Sequence, residues 1–172
     1  MKHYQRTEMF AASPAAVYAA ITTVTGLSGW WTSSCHVGKE VGSISTFRFG
    51  SAYNRMRVDK LVPDEKVSWH CVDQHYESSG SSSKSNAWVG TSIEFRLIYI
   101  ENGGTELRFD HKGLVPSMKS YRVWVSEWDE FIGQSLKSYL ESGTGKPFTG
   151  KQVKMTLKPT TKKQMMTRKR AG

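Results

Sequence analysis

Five histidines and two cysteines are the side chains of this chain best suited to metal or nucleophilic chemistry. The histidines are His3, His36, His70, His75 and His111. No two of them have the three- or four-residue helical spacing that brings two imidazoles to one metal ion, and no HExxH pattern occurs. Cys35 and Cys71 stand too far apart in sequence for a paired-ligand motif, and two cysteines make no disulfide framework. They read as free thiols in a reducing cytoplasm. There is no GxSxG elbow and no glycine-rich phosphate loop ahead of a helix. No metal and no cofactor is expected.

His111 is the remaining candidate for chemistry. It shares the inward phase of "TELRFDH" with Leu107 and Phe109. An imidazole among apolar neighbours can hydrogen-bond a ligand or act as a general base, which makes His111 a weak catalytic candidate. The competing reading is a histidine at a strand end satisfied by backbone or water. The large apolar residues pose a parallel choice. Trp30, Trp31, Phe47, Phe49, Met56, Trp69, Phe95, Tyr99, Phe109, Trp124 and Trp128, with His111, can line a pocket for an apolar ligand. They can equally fill a core, where burying each aromatic contributes about 1.5–3 kcal/mol.

The elements that must position these residues follow from periodicity. Residues 3–10 alternate and read as a strand. In "SPAAVYAAIT", Ser13 suits an N-cap and Pro14 the first helical position. "GLSGWW" reads as one or two further helical turns, interrupted by Gly26 and Gly29. Adjacent helical positions point about 100° apart, so Trp30 and Trp31 cannot both face one flat core. From Cys35 to Gly113 the period is two, as in half-buried antiparallel strands. Phe47 and Phe49, then Met56 and Val58, then Val67, Trp69 and Cys71, then Ile93, Phe95, Leu97 and Tyr99 each take one phase. Arg55 and Arg57 fall on an opposite, solvated phase. Pro63-Asp64 and Asn102-Gly103-Gly104 mark turns. A polar Ser/Gly stretch over 75–88 reads as a loop. Helical spacing returns over 118–142, with Val125, Trp128, Ile132, Leu136, Tyr139 and Leu140 in one stripe. The helix starts near Met118 or, by its capping-box spacing, at Ser126.

Composition is that of a globular domain: 38% hydrophobic and 23% charged. No apolar run reaches membrane-spanning length, and the N-terminal stretch lacks a signal-peptide core, so cytoplasmic residence is expected. The formal charge of +9 is not spread evenly. All of the excess falls on residues 146–172, which carry basic residues and no acid, while 1–145 balance. Two regions are therefore expected, a body over 1–145 and a basic, disordered tail over 146–172. Such a tail can make weak, non-specific contact with nucleic acid or an anionic surface, and beyond Phe148 it lacks aromatics for base stacking.

The order of these pieces resembles the SRPBCC superfamily of START-like, birch-pollen-allergen-like helix-grip domains. Within it the chain is similar to the C-terminal domain family of heat-shock protein 90 ATPase activators. The resemblance is carried by "SPAAVYAAIT" with "GLSGWW", "VSWH", "TELRFDHKGL" and "SEWDEFIGQSLKSYLESG". It implies an α+β fold in which a curled antiparallel sheet of about six strands wraps a long C-terminal helix. Two short helices follow the first strand, and a cavity lies between sheet and long helix. One tryptophan of the doublet would pack under the short helices and the other would border the cavity. The first functional expectation is non-catalytic binding of a hydrophobic or amphipathic small molecule in that cavity. The alternatives are a chaperone-cofactor module with a heat-shock chaperone as partner, and a cyclase- or hydrolase-type enzyme using the same space.

Overall fold

A computed structural model describes residues 2–77 and 84–150. The chain begins with β1 (Tyr4–Phe10), followed by α1 (Pro14–Thr22) and α2 (Val24–Trp30). Ser13 Oγ accepts the Ala16 N–H at 3.2 Å, and Thr23 Oγ1 accepts the Gly26 N–H at 3.0 Å. Two side-chain caps thus start two short helices in succession, as polar residues at these positions do. Val17, Ala20 and Ile21 give α1 its buried face.

Seven further strands follow: β2 (Ser34–His36), β3 (Ile44–Phe49), β4 (Ala52–Val62), β5 (Lys66–Glu77), β6 (Lys84–Ser85), β7 (Ser92–Tyr99) and β8 (Thr105–Lys112). The main path runs β1-β8-β7-β5-β4-β3-β2, with β6 paired to β5, and every pairing is antiparallel. This is two strands more than the sequence suggests. The extra ones are β2 and β6, three and two residues long, too short for a period to register. Irregularities at Arg55/Met56 and Val58/Lys60 interrupt the β4–β5 ladder. Bulges of this kind raise local twist and help a sheet curl.

The turns form where expected. Glu65 donates its N–H to the Val62 carbonyl at 3.0 Å across a turn in which Asp64 takes φ +62°. Asn102 Oδ1 accepts the Gly104 N–H at 3.1 Å in the β7–β8 hairpin.

The C-terminal helix starts between the two positions the sequence offers. It comprises α3 (Tyr121–Glu130), a π-helical segment over Phe131–Leu136, and α4 (Lys137–Ser142). The π segment places Gly133 against Arg6 of β1, where an added Cβ would lie 2.3 Å from the guanidinium. Arg6 then reaches Asp129 and Glu8, each at 2.8 Å. A side chain at 133 would have to displace the end of the Arg6 guanidinium from this seam.

Residues 146–150, the start of the stretch expected as tail, pack against the body. Phe148 pairs in parallel with Thr32, its N–H donating to the Trp31 carbonyl and its carbonyl accepting from Ser33 N–H, both at 2.9 Å. Its ring packs on Phe49 at 5.6 Å. Residues 151–172, which hold the rest of the basic tail, lie outside the described residues, as do 78–83 of the Ser/Gly stretch.

Candidate functional site: the aromatic interior

All six tryptophans are buried. Trp30 turns toward the small helices, and its Nε1–H donates to the Ala20 carbonyl at 2.8 Å. Trp31 turns into the space between sheet and helix. It lies 4.4 Å from Phe47, 6.0 Å from Trp69 and 5.2 Å from Trp128, centroid to centroid. The doublet is thereby resolved: Trp30 roofs the small helices and Trp31 faces the interior. The two rings stack on each other at 5.9 Å and 13°. A line of stacked indoles runs Trp30–Trp31–Trp128–Trp88, the last step at 5.7 Å and 16°. Offset stacks and edge-to-face contacts of this kind add about 0.5–1.5 kcal/mol per pair beyond burial.

That line occupies the volume where the resemblance places a cavity. Two concavities stand out on the molecule, of about 410 and 220 Å³. The larger is bordered by Met118, Tyr121 and Val123 at the start of α3, the smaller by Arg48, Gly50 and Phe148. Neither is lined by any residue of the aromatic interior. In the space between sheet and long helix, the rings of Trp31, Trp69, Trp88 and Trp128 pack on one another instead.

His111 sits in this filling, 0% exposed. Trp128 Nε1–H donates to its Nδ1 at 3.1 Å, and its Nε2 lies 2.9 Å from Thr91 Oγ1. Thr91 Oγ1 in turn donates to the Trp88 carbonyl at 2.6 Å. An acceptor Nδ1 assigns the proton to Nε2, which donates to the threonine oxygen. Burial pushes the imidazole pKa down from 6.5 to about 3, so the ring is neutral at physiological pH. Both nitrogens are committed, and no lone pair faces a substrate. The general-base reading of His111 loses its acceptor atom; the ring bridges β8 to α3.

Of the other candidates, Trp30, Trp31, Phe47, Met56, Trp69, Phe95, Phe109, Trp124 and Trp128 are buried in one core, with half-buried Phe49 packed at its edge. Tyr99 is a correction: it is 63% exposed. It keeps the inward phase opposite Thr105, but it stands at the hairpin end of β7, where its ring enters solvent. Sequence reasoning missed Trp88, which ends the polar Ser/Gly stretch and folds back into the core. The signal was present, since a tryptophan closing a serine-rich segment has little reason to stay in water. Trp88 packs edge-on to His111 at 4.6 Å and 85°, and to Trp124 at 6.0 Å and 72°. Its indole N–H is buried and has no hydrogen-bond partner among the described residues.

On the outer face, Glu94 accepts from Arg96 Nε at 2.7 Å and lies 3.2 and 3.3 Å from Lys66 and Lys112. Desolvation opposes its charge, but the hydrogen bonds from Arg96, Lys66 and Lys112 prevail and bring its pKa down to about 2. Arg57 pairs with Asp59 at 2.7 Å, in keeping with a solvated outer phase. Among the described residues, no three His, Cys, Asp or Glu side chains converge as metal ligands, and no helix is long and apolar enough to cross a membrane.

The comparisons with known proteins agree with this architecture. The family model for activator of Hsp90 ATPase homolog 1-like proteins matches residues 11–141. A comparison with curated proteins finds no match. Among solved structures, the chain is similar to the Aha1 dimer from Colwellia psychrerythraea, with 32% identity and a TM-score of 0.69 over 84% of this chain and 100% of that one. It shares its fold with a protein from Staphylococcus saprophyticus, at 17% identity and TM-score 0.60, covering 83% and 96% of the two chains. It shares it also with an HSP90 activator from Plasmodium falciparum, at 15% identity and TM-score 0.54, covering 76% and 90%. A curled sheet gripping the C-terminal helix, joined to a family match over most of the body, leads to one conclusion: the chain belongs to the family of activator of Hsp90 ATPase homolog 1-like proteins.

Proposed function

We propose that this chain is a protein-interaction module that docks on an Hsp90-type chaperone in the cytoplasm and stimulates its ATPase. One observation carries the reading. The interior is occupied by Trp31, Trp69, Trp88 and Trp128, so the ground-state molecule offers its surface rather than a void. Family membership and the solved activators of the same fold support the choice of partner. The concavity at the start of α3 supplies a partner-facing surface, with Met118, Tyr121 and exposed Val123 beside the cations Lys119 and Arg122. Apolar anchors rimmed by charge suit a protein interface. The test is the ATPase rate of a purified Hsp90 with and without the full chain, and with Val123→Asp. Stimulation that Val123→Asp weakens supports the reading. An unchanged rate, with no binding by calorimetry, overturns it.

A second reading, small-molecule binding between sheet and helix, is favoured by the orphaned indole N–H of Trp88. Buried polar atoms without partners are uncommon, and each calls for an explanation. In this reading the site opens by displacement of a side chain. For the enzyme alternative, no observation beyond the already committed His111 speaks in favour.

A further inference from the structure

This inference rests on the small-molecule reading and names its ligand. We infer that the Trp88 side chain is an intramolecular stand-in for an uncharged, flat, bicyclic aromatic ligand, which takes the slot against Trp128 when the indole swings out.

The slot has the shape of such a molecule. Its floor is the face of Trp128, parallel to the Trp88 ring within 16°. Its walls are His111 and Trp124, whose rings stand at 85° and 72° to the Trp88 plane. One face contact and two edge contacts is the geometry that aromatic rings prefer and that an alkyl chain cannot reproduce. The polar groups nearby are spoken for. His111 bonds Trp128 and Thr91, and Gln74 bonds Asn54 through its amide nitrogen and the Trp88 backbone N–H through its oxygen. A charge entering the slot would meet no free partner, so the ligand is neutral.

The hinge is built so that the ring can leave without the backbone. The main chain of Trp88 is anchored on both sides: its N–H to Gln74 at 2.8 Å, its carbonyl to the Thr91 N–H and hydroxyl at 2.8 and 2.6 Å. None of these bonds involves the indole. The neighbouring Asn86, Val89 and Gly90 are exposed, Val89 at 43%, while Ala87 and Thr91 on either side pack inward with the 5% exposed Trp88. A rotation about χ1 moves it outward while the turn stays in place. The resident ring is also a poor occupant. Its N–H finds no acceptor, and a ring without that donor would fill the slot with no such cost.

The test uses the full chain labelled with ¹⁵N and the probe quinoline, which is bicyclic, neutral at pH 7.5 and has no N–H. The six indole N–H signals are followed, with Trp88 assigned by Trp88→Phe. The expected result is that quinoline shifts the Trp88 signal and makes it exchange with solvent, while the Trp128 signal moves but stays protected. Removing the competing plug raises the competent fraction, so Trp88→Ala binds quinoline about tenfold more tightly or better, and Trp88→Phe falls between. Should Trp88→Ala not fold, the comparison of Trp88→Phe with the natural chain decides. 1-Octanol is the aliphatic control. If octanol displaces Trp88 and quinoline does not, the aromatic class is overturned and the small-molecule reading stands. If neither moves the Trp88 signal and neither variant binds more tightly, both fall.

Discussion

Trp128 donates its indole N–H to Nδ1 of His111 across 3.1 Å, and so ties the C-terminal helix to β8 in the middle of the aromatic interior. The pairing holds only for a neutral ring, because an imidazolium has no lone pair at Nδ1. The folded protein therefore resists protonating His111, with its pKa at about 3 against 6.5 in the unfolded chain. Between those values the unfolded state binds the proton and the folded state does not. His111's contribution is whole above pH 6.5 and is lost as pH falls toward 3, at a limiting slope of about 1.4 kcal/mol per pH unit. Urea unfolding from pH 7.5 to 4 should show this fall. His111→Ala should lose it, and should cost about 2–4 kcal/mol at pH 7 by opening a cavity and orphaning the Trp128 N–H. An unchanged pH profile in the variant would remove His111 as its source.

Glu94 titrates in a lower window. Its carboxylate is held at about 2 against an ordinary 4.5, so its contribution is present above pH 4.5 and lost as pH falls through 2. Replacing it by glutamine leaves Lys66, Arg96 and Lys112 without their shared counter-charge. Glu94→Gln should destabilise by about 1–3 kcal/mol at pH 7, and by less in 1 M salt, because mobile ions screen what the carboxylate neutralised. Denaturation midpoints at low and high salt check both statements. A loss that does not respond to salt would point to packing instead.

Much of this fold was readable from period and punctuation. Val17, Ala20 and Ile21, Phe47 of β3, the inward phases of β4, β5 and β8, and the stripe through Trp128, Ile132 and Leu136 all bury as their spacing implies, with Phe49 half-buried at the edge. The unreadable parts have physical causes. Tyr99 has the right phase but lies where the hairpin leaves the core, and phase carries no information about cover. The π segment keeps the apolar stripe of an α-helix, so only the Gly133–Arg6 contact betrays it. The filling of the interior depends on Trp88, which arrives from a turn, and turn residues obey no period. The family resemblance suggests a cavity; in the space where it is expected, the Trp88 indole stacks on Trp128.

The two thiols should react in a fixed order. Cys71 is buried, donates to the Asp73 carbonyl, and has its pKa raised to about 12 by burial. Cys35 is half-buried on β2, and its pKa is also raised by burial. Thiolate is the reactive form. A disulfide reagent at pH 8 should therefore modify Cys35 slowly and leave Cys71 untouched until the protein is unfolded. Mass spectrometry of the labelled peptides reads the order. Equal labelling in native buffer would mean that β5 opens locally.

Phe148 and the residues before it form a strap from the end of α4 to the tryptophan doublet. The Lys146 N–H donates to Ser135 Oγ at 2.7 Å, and that hydroxyl donates to the Trp30 carbonyl at 2.6 Å. Two residues further on, Phe148 pairs with Trp31 and Ser33 through its backbone and covers Phe49 with its ring. The strap thus holds both members of the tryptophan doublet from the C-terminal side. A chain ending at Gly150 should unfold at the same urea concentration as the full chain. One ending at Gly145 should lose about 2–4 kcal/mol, from three backbone donors unpaired or removed and one half-buried ring lost. Phe148→Ala in the full chain, which keeps the backbone bonds, should lose about 1–2 kcal/mol, so the ring and the ladder can be weighed separately. Equal stability of the 145 and 150 chains would mean that the strap follows the fold without supporting it. The doublet would then be held by the Ala20 and Ser135 hydrogen bonds and by the ring contacts of Trp31 with Phe47, Trp69 and Trp128.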